Sequence, residues 1–223
     1  VELKIYAGGV TGNETAMLRK MRNGQLHAGA LTNLGLLELD PGPQVINTPM
    51  LIRNYDELDY VMKHMGSKFE ERIEASGYVV LSWGDAGWAH LFTKNKITDP
   101  SQVGTLKIFA WEGDPGAVEM YRKGGFKPVV VSATDILTSL QSGMLDSFPS
   151  SPLAALAMQW FGLAPNMLDM PWAPIMGAVI VKKGVWDALP PHPETGADLR
   201  PILLQAARAS SDRVQSKIRS QDK

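Results

Sequence analysis

The sequence contains no cysteine, has almost no net charge and lacks a long hydrophobic run. Without cysteine there can be no disulfide, no thiol nucleophile and no zinc site built on thiolates. The 22 Lys and Arg residues are balanced by 23 Asp and Glu residues, so no basic excess is available to neutralise nucleic-acid phosphates. Apolar runs such as Ile175–Val181 fall far short of the roughly 20 residues that a membrane-spanning helix needs. These absences argue against thiol chemistry, nucleic-acid binding and a membrane-spanning role.

Catalytic and cofactor signatures are equally scarce. The sequence has no GxSxG turn around a nucleophilic serine, no P-loop and no GxGxxG dinucleotide fingerprint. The four histidines show neither i,i+4 pairing nor HExxH spacing. Glu112 and Asp114 have the spacing of an acid–base pair or a cation site, but a charged turn residue and a helix N-cap explain them more simply. We therefore predict no cofactor, no metal and no catalytic constellation.

β-Favouring runs alternate with amphipathic helical segments along the chain. Several helices have clear capping signals, such as Asn54 with Glu57 three residues later, and Asp114 followed by Pro115. The predicted strands are Val1–Ala7, Ala28–Thr32, Tyr78–Trp83, Trp88–Phe92, Thr105–Trp111, Lys127–Val131, Leu145–Phe148 and Ile175–Val181. The predicted helices run from Asn13 to Asn23, Asn54 to Gly77, Asp114 to Gly124, Ser132 to Gly143, Leu153 to Phe161 and Ala197 to about Ser220. This alternation predicts an α/β protein with largely parallel sheets, in which Leu34–Pro49 is an irregular connection.

Two places in the pattern predict that the chain passes between two lobes. Gly84–Gly87 interrupts an otherwise continuous strand pattern, and Ile175–Val181 is a second apolar strand that serves as the return crossing. We expect one lobe from residues 1–84 plus about 182–223 and another from residues 85–181, with crossing strands near 78–92 and 175–181. Ligands of such sheets bind outside the carboxyl ends of the strands, which predicts a cleft between the lobes.

Aromatic residues are concentrated where predicted strands end. Trp83 and Trp88 flank the glycine interruption, and Phe109 and Trp111 end a strand of the second lobe. Near the later loops of that lobe lie Phe148, Trp160 and Trp172. Core packing explains any one of these rings, but their joint position at strand ends favours the wall of a cleft.

Several segments together resemble a family of binding proteins. Gly8–Glu14 is similar to a "GG-x-x-G-x-E" segment, and Thr48–Leu51 to an "lpF" segment. Gly104–Ala110 is similar to an "lkGlKiRv" strand, and Ser132–Asp146 to "E-y-x-aLq-x-G-x-vDg". In this order and spacing they resemble the solute-binding proteins of tripartite ATP-independent periplasmic (TRAP) transporters of the dicarboxylate type.

The resemblance implies a fold, a location and a task. It implies two α/β lobes of the type II periplasmic-binding-protein kind, joined by a hinge, which close around one small organic ligand in the periplasm. The ligand would be handed to the membrane subunits of a TRAP permease, without any enzymatic step or cofactor. Family members normally have a further strand and helix before the segment at Val1, and more chain after the helix ending near Lys223.

Two positions depart from the family pattern. Phe109 stands where the family commonly has an Arg that clamps a ligand carboxylate, and Ala89 stands where a second Arg often occurs. Burying a carboxylate without such partners costs several kcal/mol, whereas covering the apolar face of a Phe or Trp ring gains about 25 cal/mol per Å². We therefore predict an aromatic-walled cleft for a neutral, apolar or amphipathic ligand. The predicted ligand-binding residues are Thr32, Asn33, Met50, Trp83, Asp85, Trp88, Ala89, Phe109, Trp111, Phe148, Ser150, Ser151 and Trp172.

Two alternatives remain open at the level of sequence. An organic acid anion could be held by Lys107, His90 or helix N-terminal amides at Asp114–Gly116 or Ser132–Thr134, or by a metal ion on Glu112 or Asp114. A small α/β enzyme would have to use Asp85, His90 or Glu112, but no nucleophile with an adjacent base supports it.

Overall fold

The protein is described by a computed structural model that covers residues 3–6 and 9–221. Its contacts divide the chain into two compact units. Unit 1 holds the described residues up to Asn13 together with Trp88–Trp172, and unit 2 holds Glu14–Gly87 together with the described residues from Ala173 onward. The chain therefore passes between the units at Asn13–Glu14, at Gly87–Trp88 and at Trp172–Ala173.

These units differ from the predicted lobe ranges in three places. The described residues before Glu14 belong to unit 1, whereas Asp85–Gly87 and Ala173–Val181 belong to unit 2. The assignment of Ala173–Val181 has a direct cause, because Val181 lies opposite Ala28 and Gly177 lies opposite Thr32 in one antiparallel pair of strands.

Unit 2 is built on a three-stranded sheet. Strand β8 (Pro174–Lys182) lies between β1 (Ala28–Thr32) and β2 (Tyr78–Trp88). The helices of the unit are α1 (Glu14–Arg22), α2 (Asn33–Leu37), α3 (Tyr55–Ala75), α7 (Lys183–Asp187), α8 (Leu199–Gln221) and a 3₁₀ helix at Gly42–Asn47. Its core is aliphatic, with Leu18 and Met21 of α1 packed against the sheet and against Ile73 of α3.

Unit 1 is built on a five-stranded sheet with the order β5-β4-β6-β3-β7. The strands are β3 (His90–Thr93), β4 (Lys107–Trp111), β5 (Lys127–Val131), β6 (Ser147–Ser150) and β7 (Asn166–Met167). Strand β4 runs parallel to β5 and β6, and β3 runs antiparallel to β6 and β7. The helices are α4 (Pro115–Lys123), α5 (Ile136–Ser142), α6 (Pro152–Ala157) and 3₁₀ helices at Pro100–Thr105, Ala133–Asp135 and Trp160–Gly162.

Local capping signals are confirmed where the sequence is most explicit. Asn54 Oδ1 accepts a hydrogen bond from the backbone N–H of Glu57 at 2.9 Å, which starts α3 as predicted. Asp114 Oδ1 accepts from the N–H of Ala117 at 2.9 Å, with Pro115 as the first residue of α4. The predicted bounds of β1 and β5 are confirmed as well.

Several predicted elements are wrong or displaced. Leu34–Pro49 is not irregular: it contains α2, capped by Thr32, and a 3₁₀ helix whose first turn accommodates a proline. The helix predicted over Leu153–Phe161 ends at Ala157, because Gln159 has a positive φ of 59°. The strand predicted at Leu145–Phe148 begins two residues later. Of the predicted first strand, Leu3–Tyr6 lies outside regular structure, and the rest falls outside the described residues.

The glycines at 84–87 do not interrupt the strand as predicted. Strand β2 continues to Trp88, and the pairing breaks at Ala89 instead. Asp85 lies in this segment and accepts hydrogen bonds from Arg219, and strand β2 is paired with β8.

Helix α8 is not attached by the apolar face that the sequence predicts. That face would contain Leu199, Ile202, Leu203, Ala206, Val214 and Ile218. In the structure Ile202 and Val214 are 56% and 55% exposed, and none of the six is buried. Polar contacts hold the helix instead: Ser211 and Gln215 donate to the carbonyl oxygen of Trp83, and Arg208 pairs with Glu70. Within the described residues, no helix is long and apolar enough to span a bilayer.

Candidate functional site

One edge of the unit 1 sheet gathers the ends of several strands. Strands β4, β5 and β6 are parallel and end at Trp111, Val131 and Ser150. Strand β3 is antiparallel to β6, so its first residue, His90, lies opposite Ser150. We call this the carboxyl edge. In an α/β sheet this is the edge where backbone amides and loop side chains are free to contact a ligand.

Two predicted serines occupy the carboxyl edge after β6. Ser150 is 5% exposed and Ser151 is fully buried. Ser151 Oγ accepts from the N–H of Ala154 at 3.3 Å and so caps α6. Trp172 is brought to the same edge, because its N–H donates to the carbonyl oxygen of Ala89 at 3.1 Å. The structure therefore brings Ala89, Ser150, Ser151 and Trp172 together.

The segment Gly9–Asn13 also reaches the carboxyl edge. The N–H of Gly12 donates to the Gly9 carbonyl at 2.9 Å, which closes a turn. Asn13 Nδ2 donates to Glu112 Oε2 at 3.4 Å, just beyond the end of β4. The predicted site did not include Asn13, although the glycine-rich motif that ends on Asn13 and Glu14 was the signal that pointed to it.

The predicted aromatic residues of unit 1 occupy different depths. Phe109 and Phe148 are buried in the core, 1% and 0% exposed. Phe148 stacks on Phe92 with ring centroids 5.2 Å apart and meets the edge of Trp160 at the same separation. Trp111 is half-buried and meets Phe109 edge-on at 5.0 Å. Trp111 and Trp172 thus lie at the carboxyl edge, whereas Phe109 and Phe148 form the core beneath it.

In unit 2, the predicted residue Thr32 is bound by Glu14. The carboxylate of Glu14 accepts from the N–H of Thr32 at 3.0 Å, from its hydroxyl at 3.1 Å and from the N–H of Gly35 at 2.7 Å. Burial raises the pKa of Glu14, and these hydrogen bonds offset only part of that effect. Asn33 Nδ2 donates to Gln44 Oε1 at 3.3 Å. The polar contacts of Thr32 and Asn33 named above are therefore all to other residues of unit 2.

Met50 occupies a strained turn. The N–H of Leu51 donates to the Thr48 carbonyl oxygen at 3.2 Å. Met50 has a φ of 62°, a backbone conformation that residues other than glycine rarely adopt. Its side chain is 49% exposed. Beside the turn lies an apolar groove of about 610 Å³ lined by Val45, Ile46, Leu51, Ile52, Asp56, Glu57, Tyr60, Val61 and Met65.

Trp83 and Asp85 contact the helices of unit 2. Trp83 Nε1 donates to Glu70 Oε1 at 3.1 Å. Asp85 Oδ2 accepts from Arg219 Nε at 3.1 Å and from Nη2 at 2.9 Å, while Arg219 also makes two 2.9 Å hydrogen bonds to Asp59. These carboxylates, Asp59 foremost, raise the pKa of Arg219. Asp85 is therefore part of a buried ion pair.

The groups proposed to replace the missing arginines are not all at the carboxyl edge. His90 lies there, with Nδ1 3.2 Å from the Leu168 carbonyl oxygen. Lys107 is at the opposite end of β4, about 13 Å away by strand rise, and its Nζ donates to the Gly143 carbonyl oxygen. The first turn of α4 begins at the edge, just beyond Glu112. The described part of the chain contains no cluster of three His, Asp or Glu side chains that could hold a metal ion.

Two α/β units, one on a three-stranded and one on a five-stranded sheet, are the organisation of a periplasmic solute-binding protein. The chain belongs to family 7 of the bacterial extracellular solute-binding proteins (DctP), whose sequence model matches residues 1–223. The predicted resemblance to TRAP solute-binding proteins and the predicted α/β fold class are confirmed. The chain is thus an extracytoplasmic solute-binding protein rather than an enzyme.

Solved structures of TRAP periplasmic solute-binding proteins share the fold. One from Sulfitobacter sp. NAS-14.1, with bound β-D-galacturonate, superposes with a TM-score of 0.87 at 19% identity over 98% of this chain and 71% of that one. One from Citrobacter koseri, with bound D-glucuronate, gives 0.84 at 22% identity over 99% and 75%. DctP7 of Bordetella pertussis, which binds pyroglutamic acid, gives 0.87 at 17% identity over 99% and 71%.

Curated relatives are longer than this chain. The C4-dicarboxylate-binding periplasmic protein DctP of Rhodobacter capsulatus is 24% identical over 215 residues, which cover 95% of this chain and 62% of the relative. The uncharacterized protein y4mM of Sinorhizobium fredii is 28% identical over 156 residues, 69% of this chain and 28% of the relative. The chain therefore spans less than two thirds of either relative.

Proposed function

We propose that this protein captures a small organic acid anion and delivers it to a TRAP permease. The support comes from structural relatives, whose bound ligands are galacturonate, glucuronate and erythronate, each a compact molecule with one carboxylate. This proposal favours the anion alternative over the apolar ligand expected from the two absent arginines. Delivery to the membrane subunits of such a permease is part of this proposal.

The protein is proposed to be an atypical member that binds the carboxylate without the two family arginines. The residues at these two positions, Ala89 and Phe109, carry no charge, and both are buried, at 7% and 1% exposed. A carboxylate can instead be held by two or three backbone N–H groups, which compensate part of its desolvation. In the first turn of α4, Pro115 has no N–H and the N–H of Ala117 donates to Asp114 Oδ1, so the proposed donor there is the N–H of Gly116. The amide of Asn13 and the ring of His90 are the other proposed donors at the carboxyl edge.

The rest of the ligand is proposed to contact aromatic rings. Trp111 packs on the core that contains Phe109, and Trp172 packs on a separate cluster that contains Leu91 and Ile108. Both are half-buried near the carboxyl edge, and the exposed part of either ring can cover the apolar body of a ligand. One carboxylate with a ring or short carbon skeleton fits this pairing better than a C4-dicarboxylate, whose second charge would lack a partner. The two-lobed closure implied by the family resemblance is part of this proposal.

Thermal unfolding with a ligand panel tests the proposal. The panel contains D-glucuronate, D-galacturonate, pyroglutamate, succinate and the neutral aromatic indole. A ligand at a free concentration of 100 times its Kd raises the free energy of unfolding by about 2.7 kcal/mol, which raises Tm by roughly 5–10 °C for a chain of this size. We expect the monocarboxylates to do so and succinate to have little effect.

The same panel separates the second candidate function, capture of an apolar ligand. The buried Phe109 and Ala89 at the family arginine positions favour that candidate. Stabilisation by indole, with no response to any acid, would replace the anion proposal. Strong stabilisation by succinate alone would show that a second carboxylate has a partner that the carboxyl edge does not reveal.

A further inference from the structure

Unit 2 contains a cavity of its own, which we call the polar cavity. It has a volume of about 420 Å³, and the residues that line it come from α3, α8 and the strands β2 and β8. All of these elements belong to unit 2. Small-molecule sites in proteins begin at about 300 Å³, so the polar cavity has room for one small ligand.

The charged side chains that line the polar cavity do not balance. Arg208 pairs with Glu70 at 3.3 Å, and Arg219 pairs with Asp59 at 2.9 Å. Arg219 also binds a second, buried carboxylate, as described above. A further lining carboxylate, that of Asp212, has no hydrogen-bond or ion-pair partner among the described residues. The walls therefore carry an excess of negative charge, which favours a cation over an anion.

A buried hydroxyl group also lacks a partner at the polar cavity. Ser82 lines the cavity and is only 7% exposed. It lies on the face of β2 that carries Tyr78 and Val80, which pack in the core with Ile73 of α3. The Ser82 hydroxyl makes no hydrogen bond to the described part of the chain, and leaving a buried polar group in that condition costs free energy. A ligand with N–H donors would supply the missing hydrogen bond.

A glycine leaves room for this ligand. Leu58, Met62 and Gly66 line the polar cavity at four-residue spacing along one face of α3. Glycine is less favourable than alanine inside a helix, and packing does not require it here. A Cβ at Gly66 would have Met62 Cε, 3.8 Å away, as its nearest contact outside the backbone of the helix. A longer side chain at Gly66 would occupy the polar cavity itself.

We propose that the polar cavity binds a small organic cation, a primary ammonium ion on a short carbon chain. Asp212 supplies the opposite charge, and the Ser82 hydroxyl supplies a buried acceptor. The carbon chain covers the apolar side chains of Leu58 and Met176, which are 1% and 4% exposed. An organic cation fits better than a metal ion, because no three His, Asp or Glu side chains of the described residues cluster as metal ligands. This site is separate from the one proposed for the organic acid anion and does not depend on it.

Butylammonium is the probe, and the indole N–H of Trp83 reports its binding in proton–nitrogen correlation NMR spectra. Trp83 lines the polar cavity, and its Nε1 donates to Glu70 Oε1 at 3.1 Å, so a cation that enters the cavity shifts this signal. Trp83→Phe identifies the signal among those of the six tryptophans. At constant ionic strength we expect a saturable shift with butylammonium, and binding about 5-fold weaker or more for neutral 1-butanol and for butyrate.

Two substitutions locate the binding in the polar cavity. Gly66→Leu fills the cavity and should weaken butylammonium binding by about 10-fold or more, because the probe then competes with the new side chain for the same volume. Its control is Met65→Leu, which places a leucine at the next position of α3, outside the polar cavity. Asp212→Asn removes the unpaired charge at constant shape and should weaken binding by about 2- to 5-fold. Asp56→Asn, at an exposed carboxylate near the start of α3 and outside the polar cavity, should leave the Kd unchanged.

Three results would overturn the proposal. The first is no saturable shift of the Trp83 signal up to about 50 mM butylammonium, a range in which a probe of five non-hydrogen atoms should bind. The second is an equal response to butylammonium, 1-butanol and butyrate. The third is equal affinity of Asp212→Asn and Asp56→Asn, a comparison that remains decisive even if Gly66→Leu does not fold. None of these results bears on the anion proposal, which the acid panel tests separately.

Discussion

The two units hold their outermost elements in opposite ways. In unit 1, α5 packs Ile136 and Leu140 against Phe109 and Phe148 in a closed apolar core. In unit 2, none of the described side chains of the 23-residue α8 is buried, and the helix is attached through serine, glutamine and arginine side chains. Beneath α8 lies a polar cavity of about 420 Å³, bordered by α3 and β2.

This difference separates two sources of stability. An apolar core gains free energy from every methylene it buries and tolerates no loss of volume. A polar attachment gains little per contact in water, but losing one partner of a buried pair leaves the other uncompensated. The aromatic core of unit 1 should therefore respond to truncation, and α8 should respond to the loss of one charge.

The largest expected effect is that of truncating the unit 1 core. Phe148→Ala removes a fully buried ring that stacks on Phe92 and should lower the free energy of unfolding by about 3–5 kcal/mol. Phe161→Ala, at a position 46% exposed, should cost less than about 1 kcal/mol. Urea unfolding of both variants measures the difference.

A second variant keeps this comparison decisive. If Phe148→Ala does not fold, Phe148→Leu leaves a smaller cavity and should still be less stable than Phe161→Ala. Equal stabilities for the core and surface variants would contradict the close packing of unit 1. They would mean that neighbouring side chains rearrange to fill the volume of the Phe148 ring.

The next effect concerns the charge that holds α8. Arg219→Met leaves Asp85 buried without its partner and should cost about 2–4 kcal/mol, given that Arg219 remains 23% exposed. Arg200→Met breaks a pair with Asp198 in which both side chains are over 40% exposed, so it should have a much smaller effect on stability than Arg219→Met. Combining Arg219→Met with Asp85→Asn should recover part of the loss, as urea unfolding will show. No recovery would mean that Arg219 acts through Asp59 and Tyr55 instead.

The sequence predicted the features that depend on neighbouring residues, and it did not predict the polar contacts between distant ones. The capped starts of α3 and α4 depend on residues three positions apart, so a local pattern is sufficient to find them. The Asp85–Arg219 pair joins residues 134 positions apart, and no local pattern contains it. Helix α8 was predicted as a helix from its propensity, but its orientation was wrong because polar contacts, rather than the apolar stripe, attach it.

The candidate site was predictable only in part for a related reason. Ser150 and Ser151 follow the predicted strand Leu145–Phe148, Ala89 was predicted from the family resemblance, and the sheet order brings all three to one edge. An aromatic residue near a strand end can cover a core or line a cleft. Phe109 and Trp111 are two residues apart on β4 and lie on the same face, but Trp111 is the last residue of the strand and is only half-buried, whereas Phe109 and Phe148 lie in the core. The local pattern does not show how far the core extends along the strand.

The smallest expected effect concerns the buried carboxyl group of Glu14 and its contribution to the free energy of unfolding. Because burial raises the pKa of Glu14 above 4.5, the folded state binds its proton more tightly than the unfolded state does. The stability that Glu14 contributes is therefore fully present below pH 4.5 and is lost as the pH rises through the folded-state pKa.

Glu14→Gln removes this titration and serves as the reference. The free energy of unfolding of the parent protein and of Glu14→Gln is measured in urea from pH 4 to pH 7. As the pH rises, the parent protein should lose stability relative to Glu14→Gln. The absolute offset of Glu14→Gln carries no information, because its amide also replaces the oxygen that accepts from Gly35, so the slope alone decides. A slope of the opposite sign would show that the N–H groups of Thr32 and Gly35 outweigh desolvation, and that unit 2 binds this carboxylate as an anion.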